Sequence, residues 1–252
     1  MPFYHRLGKL PAKRHSIFRQ SDGALHPEEL VGNHGFIGPS SLLYHLRAPT
    51  RVTAIRHLRE AAPAADPEPT FRHRHFKTAK LPAVSSPTLD RQPLLFNPDV
   101  AMSFVRATRP DDFYYRNAQA DELVYLSEGA GSLESQMGTL PLRRGDYVVI
   151  PRGILHRFVF DGELRCLVME STGAIRTPKR YRNEYGQLLE HSPFSERDLR
   201  PPSELPVHDE PGEHRLVIKK NNKLQELVLD HHPLDVVGWD GYYFPYAFNI
   251  AD

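Results

Sequence analysis

Two side chains with metal-binding chemistry, Glu122 and His156, stand at the ends of one stretch. Its second part, Gly145 to His156, has the spacing G-x5-P-x-G-x2-H. A carboxylate and an imidazole can share a divalent metal ion, as mixed shells of this kind do in iron(II) oxygenases. A tight site needs further donors, yet residues 114–121, just before Glu122, contain no histidine. We expect His156 to pack or form hydrogen bonds without a metal. No catalytic or cofactor-binding residue is assigned, and Glu122 and His156 stay as metal candidates only.

A His-x-His pair occurs earlier, at His73 and His75. Alternate residues on a strand point the same way, so both imidazoles could face one ion. However, Arg72 and Arg74 flank the first ring and would repel a cation. The sequence therefore predicts a basic surface strand here and not a metal site.

Four further histidines lie between residues 208 and 232. His231 and His232 are adjacent, and adjacent residues on a strand face opposite sides, which makes them poor joint ligands. His208 and His214 lie in a proline-containing acidic loop, where a flexible backbone preorganises no site. We expect none of the four to form a metal site of its own.

Composition describes an ordinary globular chain and excludes several classes of function. The 252 residues carry a net charge of +1, with 40% hydrophobic and 25% charged residues. So small a net charge gives no overall electrostatic attraction to nucleic acid or to a membrane surface. The sequence also has no apolar run of the ~18 residues that span a bilayer. The basic N-terminus lacks the apolar segment of a secretory signal. The single cysteine, Cys166, fits a reducing cytoplasm and is expected to be a buried, inert thiol.

Short alternating strands separated by glycine turns predict an all-β fold from about residue 101 onward. Such strands recur roughly every 8 to 12 residues, as in sandwiches and barrels, and a jelly-roll barrel fits best. The 23 prolines favour long ordered loops, because proline cannot donate to a strand ladder. We predict a basic, loop-like arm over the first ~50 residues, with possible apolar strands at 41–46 and 51–58. We also predict an exposed loop at 61–70 and an ordered surface connection at 173–212.

Large aromatic residues crowd the last part of the chain, and rings of this size need burial. They could fold back onto the first barrel, belong to a barrel that this chain does not complete, or contact a partner subunit. Left exposed, they would make the chain dye-binding or prone to aggregation. The six residues are Trp239, Tyr242, Tyr243, Phe244, Tyr246 and Phe248.

This aromatic run also carries a resemblance. Residues 236–249, VVGWDGYYFPYAFN, are similar to the pattern V-x-W-x-G-x-Y-x-P-Y-x-[YF]-N of the homogentisate 1,2-dioxygenases, members of the cupin superfamily. The chain looks closest to the shorter bacterial members. Other blocks that resemble the family lie at 28–44, 121–129, 145–153 and 195–198.

The resemblance implies a cupin-type jelly roll and a ring-cleaving reaction. Homogentisate and O2 would give maleylacetoacetate in tyrosine and phenylalanine breakdown, with Fe(II) as cofactor, in a cytoplasmic homo-oligomer. The family's iron ligands lie in a second cupin half, after the aromatic run, so none is assigned in this chain. We therefore expect the chain alone to bind no iron and to be inactive. The alternative is a non-catalytic cupin with a binding or structural role, or an inactive truncation.

The same resemblance implies three parts. They are an N-terminal arm with flanking strands at 1–100, a metal-free cupin half at 101–172, and a connection with the first strands of an incomplete second half at 173–252.

Overall fold

Alternating apolar residues build three β-sheets in the computed structural model, which describes residues 3–68, 70–249 and 251–252. Within those residues the strands are, in chain order, β1 (His5–Gly8), β2 (Glu28–Gly32), β3 (Ser40–His45), β4 (Val52–Glu60), β5 (Gln92–Phe96), β6 (Val100–Ala107), β7 (Tyr114–Asn117), β8 (Asp121–Glu128), β9 (Gly131–Ser135), β10 (Gly138–Leu142), β11 (Asp146–Ile150), β12 (Leu155–Phe160), β13 (Leu164–Ser171), β14 (Pro211–Lys220), β15 (Lys223–His231), β16 (Val236–Gly241) and β17 (Tyr246–Asn249). Short 3-10 turns lie at Thr78–Lys80, Lys179–Tyr181 and Glu196–Asp198.

Two of the sheets enclose the barrel. One has six strands in the order β17-β11-β8-β13-β6-β5, and the other has seven in the order β10-β9-β12-β7-β14-β15-β4. Val124 and Val168 from the first sheet share one buried cluster with Leu133 and Phe158 from the second. The described pairs are antiparallel except β7–β14, which is parallel. The all-β, cupin-type jelly roll with long proline-rich loops is thus confirmed.

Strand β13 shows how the sequence dictates this packing. Its alternate residues Leu164, Cys166 and Val168 point inward and are buried, while the residues between them are partly exposed. The period of two places the apolar set on the core side. The predicted burial of the Cys166 thiol is confirmed, and this burial raises its pKa to about 12. Its inertness stays a prediction.

The N-terminal segment differs in part from the loop-like arm predicted for it: β3 confirms the possible strand at 41–46, whereas β1 and β2 were not predicted. Strands β1, β2 and β3 join β16 in a four-stranded sheet with the order β1-β16-β3-β2. Phe3 packs against Phe244 with ring centroids 5.7 Å apart, and Leu7 contacts the main core. The basic residues hid short strands, because only a few inward-facing apolar positions are needed for a strand that pairs on one side.

The aromatic run at the C-terminal end is buried against the chain's own barrel. Trp239 is fully buried and donates from Nε1 to the Met137 carbonyl at 2.8 Å, while the Tyr243 hydroxyl donates to the Arg152 carbonyl at 2.6 Å. Strand β17 pairs with β11 of the six-stranded sheet. Of the six rings only Tyr242 is exposed, at 49%, so the expectation of an exposed aromatic surface was wrong.

The long connections are as irregular as predicted, apart from the 3-10 turns. Residues 173–210 contain no strand where the structure describes them, and the loop at 61–70 is mostly exposed, with Pro69 outside the described residues. Residues 71–76 are exposed and irregular, so the basic surface strand predicted around His73 and His75 is wrong. Among the described residues, no helix has the length and apolar character needed to cross a membrane. The three-part division of the chain stays a prediction, although β17 belongs to the barrel of 101–172.

Candidate functional site

Glu122 lies inside the barrel on β8, where strands β11 and β13 flank it. The side chain is completely buried, and both of its oxygens are engaged. Arg91 donates from Nη1 to Oε1 at 2.8 Å and from Nη2 to Oε2 at 2.9 Å, and Asn117 adds a bond from Nδ2 to Oε1 at 2.8 Å. The parallel pairing of a guanidinium with a carboxylate is the geometry in which arginine binds carboxylates most specifically.

The charges continue toward the edge of the barrel. Arg91 also contacts Glu170 at 3.3 Å, and Glu170 accepts from Lys219 Nζ at 2.5 Å. The Arg91 guanidinium lies 5.6 Å from the centre of the buried Tyr115 ring. Two carboxylates and two cations therefore balance one another inside the fold, which is the condition for burying charge without a large penalty.

The electrostatics of Glu122 follow from this pairing. Burial alone would raise the pKa of Glu122, but the Arg91 charge and its hydrogen bonds outweigh burial and lower the pKa from 4.5 to about 2. The same pairing raises the pKa of Arg91. The carboxylate is therefore ionised across the physiological range and is bound to an internal cation.

His156 lies on β12 near this network and is also completely buried. Its Nδ1 donates to the Ile154 carbonyl at 3.0 Å, which leaves Nε2 as a buried acceptor with no protein partner. The edges of Tyr115 and Phe158 pack on the ring at 5.6 and 5.8 Å. Burial lowers the pKa of His156, against the opposing influence of Glu122, so the ring is neutral.

These residues do not fit a divalent metal ion. The two oxygens of Glu122 are taken by Arg91 and Asn117, and the guanidinium supplies the positive charge that a metal would bring. His156 offers one free nitrogen, but it is a single donor beside a cation. Glu122 and His156 therefore lack the donor set that a metal ion would need between them.

A pocket of about 690 Å³ opens beside the buried charges. Arg91, Tyr115, Glu170 and Lys219 line its inner side, and Arg59 lies at its rim side on β4. Both inner cations already pair with carboxylates, so the pocket offers hydrogen-bond donors with little net charge. Its size and mixed lining suit a small polar molecule.

A second cluster lies outside the barrel interior and was not expected from the sequence. The structure brings His208, Glu210 and His232 together, with one ligand atom of each within 4.8 Å of the others. His208 Nδ1 lies 3.1 Å from Glu210 Oε1, and the His208 and His232 rings stack at 4.2 Å. Considered from the sequence, His208 and His232 are separate groups, whereas the pairing of β14 with β15 brings them together. The alternation His208-x-Glu210 was a signal in the sequence that could have suggested it.

The environment of His232 keeps this ring neutral. Burial, together with the neighbouring His208 and His214, lowers the pKa of His232 to about 4. Nδ1 accepts from the Leu234 amide at 3.1 Å, and Nε2 lies 3.2 Å from the Tyr114 hydroxyl. At pH 7 the cluster therefore contains a neutral imidazole beside a carboxylate.

A third buried histidine, His45, joins the four-stranded sheet to the segment before β16. Its Nδ1 donates to Asp235 Oδ1 at 2.7 Å, and its Nε2 to Glu29 Oε2 at 3.2 Å. Burial alone would lower the pKa of His45, but the two carboxylates outweigh burial and raise it to about 9. His45 is therefore a buried cation that links β2, β3 and residue 235, and no motif in the sequence indicated it.

With this geometry in place, comparison with known proteins defines the class. Residues 99–250, more than half of the chain, match the family described as homogentisate 1,2-dioxygenase N-terminal. The chain therefore belongs to this family, a dioxygenase-type family of cupins.

Particular relatives show the same relationship. The chain is 42% identical over 253 aligned positions to a protein of Saccharolobus solfataricus named a "putative dioxygenase", covering all of this chain and 65% of that protein. It is 30% identical over 140 residues to homogentisate 1,2-dioxygenase of Emericella nidulans, covering 54% of this chain and 30% of that enzyme. The chain thus spans less than two thirds of the length of either relative.

Among solved structures, a cupin superfamily protein of Desulfitobacterium hafniense is 15% identical, with a TM-score of 0.33, over 45% of this chain and 98% of that one. The family assignment does not rest on this distant likeness. It rests on the family match over residues 99–250.

Proposed function

We propose that this chain supplies a cupin unit, without a metal ion inside its barrel, to a ring-cleaving dioxygenase that converts homogentisate and O2 to maleylacetoacetate. The Fe(II) of that enzyme would be held by the residues of a second cupin unit and not by Glu122 and His156. The observation that carries the proposal is Arg91, which occupies both oxygens of Glu122 inside the barrel. The Arg91 guanidinium already neutralises the Glu122 carboxylate, so this carboxylate is not free for a metal ion. We therefore assign the barrel the role of a scaffold.

The substrate part of the proposal is supported by the family match and by the Emericella relative, whose name states homogentisate as its substrate. The role of the chain's own residues is positional. Arg91, Glu122 and Glu170 tie the segment before β5 to β8 and β13, and Lys219 extends the tie to β14. Such a rigid barrel gives a neighbouring unit or subunit a fixed surface.

An oxygen-uptake experiment tests the proposal. The 252-residue chain is purified, loaded anaerobically with Fe(II) and assayed for homogentisate-dependent oxygen uptake, with the Emericella enzyme as positive control. We expect no turnover from the chain, and no change on Glu122→Gln. Turnover by the chain would refute the proposal, and its loss in Glu122→Gln or His156→Gln variants that circular dichroism shows to be folded would restore these residues as ligands.

A reconstitution experiment tests the substrate. The chain is co-expressed with the part of the Saccharolobus relative that lies beyond the matched 65%. We expect a complex that consumes O2 with homogentisate and not with hydroquinone. A complex that forms, binds iron and consumes O2 only with another dihydroxybenzene would overturn the homogentisate assignment.

The 690 Å³ pocket favours a second candidate, a non-catalytic cupin that binds a small molecule. Under this alternative the isolated chain binds homogentisate or a related aromatic acid without oxygen uptake. Calorimetric titration with homogentisate separates the two, and Lys219→Met, at the inner side of the pocket, should weaken such binding. No heat of binding from the isolated chain would leave the scaffold role as the better account.

A further inference from the structure

We propose that His208, Glu210 and His232 form a binding site for one divalent transition-metal ion of the zinc or iron(II) type. The site is separate from Glu122 and His156, and it does not depend on the proposed function. The carrying observation is that one ligand atom of each residue lies within 4.8 Å of the other two.

The backbone around the site is held by hydrogen bonds and is not a free loop. His208 and Glu210 immediately precede β14, and His232 immediately follows β15. The His208 amide donates to the Leu234 carbonyl at 3.2 Å, and Pro211 pairs with His231 in the ladder. The two sides of the site are therefore fixed to each other before any ion arrives, which reduces the entropy lost on binding.

The donor set selects the kind of ion. Two imidazoles and one carboxylate suit zinc, iron(II) or cobalt(II), whereas magnesium and calcium prefer oxygen ligands throughout. His208 Nδ1 and Glu210 Oε1 are already 3.1 Å apart, a separation that two ligands of one ion can keep. Three protein ligands leave room for water or a further donor.

His214 is the further donor that the structure offers. Its ring centroid lies 4.6 Å from that of His232, and its Nε2 is buried without a hydrogen-bond partner. An imidazole nitrogen left unpaired in this position has no protein group to satisfy it, so a metal ion or a metal-bound water would do so.

Nearby charges do not compete for the ion. Asp209 pairs with Arg47 at 2.8 Å, and Arg157 pairs with Glu134 at 2.7 Å.

Metal binding requires one local adjustment. His232 contacts Leu234 through Nδ1 and Tyr114 through Nε2, so an ion at this ring must replace one of these two contacts.

A cobalt titration tests the site. The full chain is titrated anaerobically with Co2+ and followed by its visible absorption and by calorimetry, with Zn2+ and Mg2+ as competitors. We expect saturation at one equivalent, displacement by Zn2+ and no displacement by Mg2+. His208→Gln and Glu210→Gln should each weaken binding by more than ~100-fold, beyond the roughly 10–100-fold typical of groups that only orient a ligand.

Matched controls separate the site from general metal affinity. His57→Gln removes a histidine that is 53% exposed and outside the cluster, and Asp209→Asn removes the neighbouring carboxylate; both should bind as the unmodified chain does. Glu210 is 65% exposed, so its loss leaves the fold intact, which circular dichroism checks.

Three results would overturn the proposal. They are the absence of saturable binding, binding that survives both His208→Gln and Glu210→Gln, and binding lost in Glu122→Gln but not in Glu210→Gln. None of them bears on homogentisate-dependent oxygen uptake, so this site and the proposed function can fail separately.

Discussion

Removing the charge of Arg91 should lower the free energy of unfolding more than removing the charge of an exposed arginine does. Arg91→Met keeps an apolar stem of similar shape but leaves Glu122, which has no exposed surface, without its cation. Taking away one partner of a buried ion pair costs ~3–5 kcal/mol, because the remaining charge is buried and unpaired.

The pKa of Glu122 gives an independent magnitude. Its pKa is lowered from 4.5 to about 2, and each pKa unit corresponds to ~1.4 kcal/mol, so the pairing contributes about 3 kcal/mol at neutral pH. Because the folded-state pKa is depressed, this contribution is present above pH 4.5 and disappears as the pH falls toward 2. In Arg91→Met burial instead raises the pKa of Glu122, so the variant gains relative stability as the pH falls from 7 toward 4.5.

Urea unfolding followed by the fluorescence of Trp239, the only tryptophan, measures this. Arg51→Met is the matched control, because Arg51 pairs with Asp230 at 2.7 Å but is 56% exposed; it should cost less than ~1 kcal/mol. Adding Glu122→Gln to Arg91→Met should recover more than half of the loss. A cost below ~1 kcal/mol for Arg91→Met, or a double variant no more stable than the single one, would refute the reasoning.

Three further predictions concern other parts of the fold. His45 has a folded-state pKa of about 9 against 6.5, so its contribution is complete below pH 6.5 and is lost as the pH rises through 9. Urea unfolding should show this loss, and Asp235→Asn should reduce it. Gly238→Ala places a Cβ 2.0 Å from the Lys9 carbonyl, so it should cost ~2 kcal/mol or more in the same assay. Cys166 should not react with a thiol reagent until urea unfolds the chain; rapid labelling of the native protein would contradict its burial.

Much of the barrel was predictable from the sequence because its signals are local. The alternation of Leu164, Cys166 and Val168 fixes which face of β13 is buried, and glycine turns mark the strand ends. Predictions from such local signals hold in the folded structure, because the period of a strand and the geometry of a turn do not depend on distant residues.

The charged interior could not be predicted in the same way. Arg91 and Glu122 are 31 residues apart, and no spacing rule links an arginine in an irregular segment to a glutamate on a strand. His208 and His232 likewise meet only because the strands between them pair. In the sequence none of these four residues has an evident partner, because the partner is set by the register of the sheet.

The sequence did not predict β1 and β2, for another reason. β1 has only four residues, His5–Gly8, and alternates partly buried with exposed positions among basic side chains. Its pairing with β16 stabilises this strand, and the four residues of β1 do not indicate that pairing. The same long-range packing decided between the three alternatives for the aromatic run, which no local pattern could do.

The pairing of β1 with β16 has a consequence for how the chain is made. Tyr4 donates to Asp240 across 236 positions of sequence, so the four-stranded sheet joins residues that are synthesised far apart in time. Contacts of such long range form slowly, since the loop between them must close first. On a ribosome the N-terminal strand must wait, unpaired on this side, until residue 241 has emerged. Residues 5–8 therefore join the sheet only after the strand that holds them has been made.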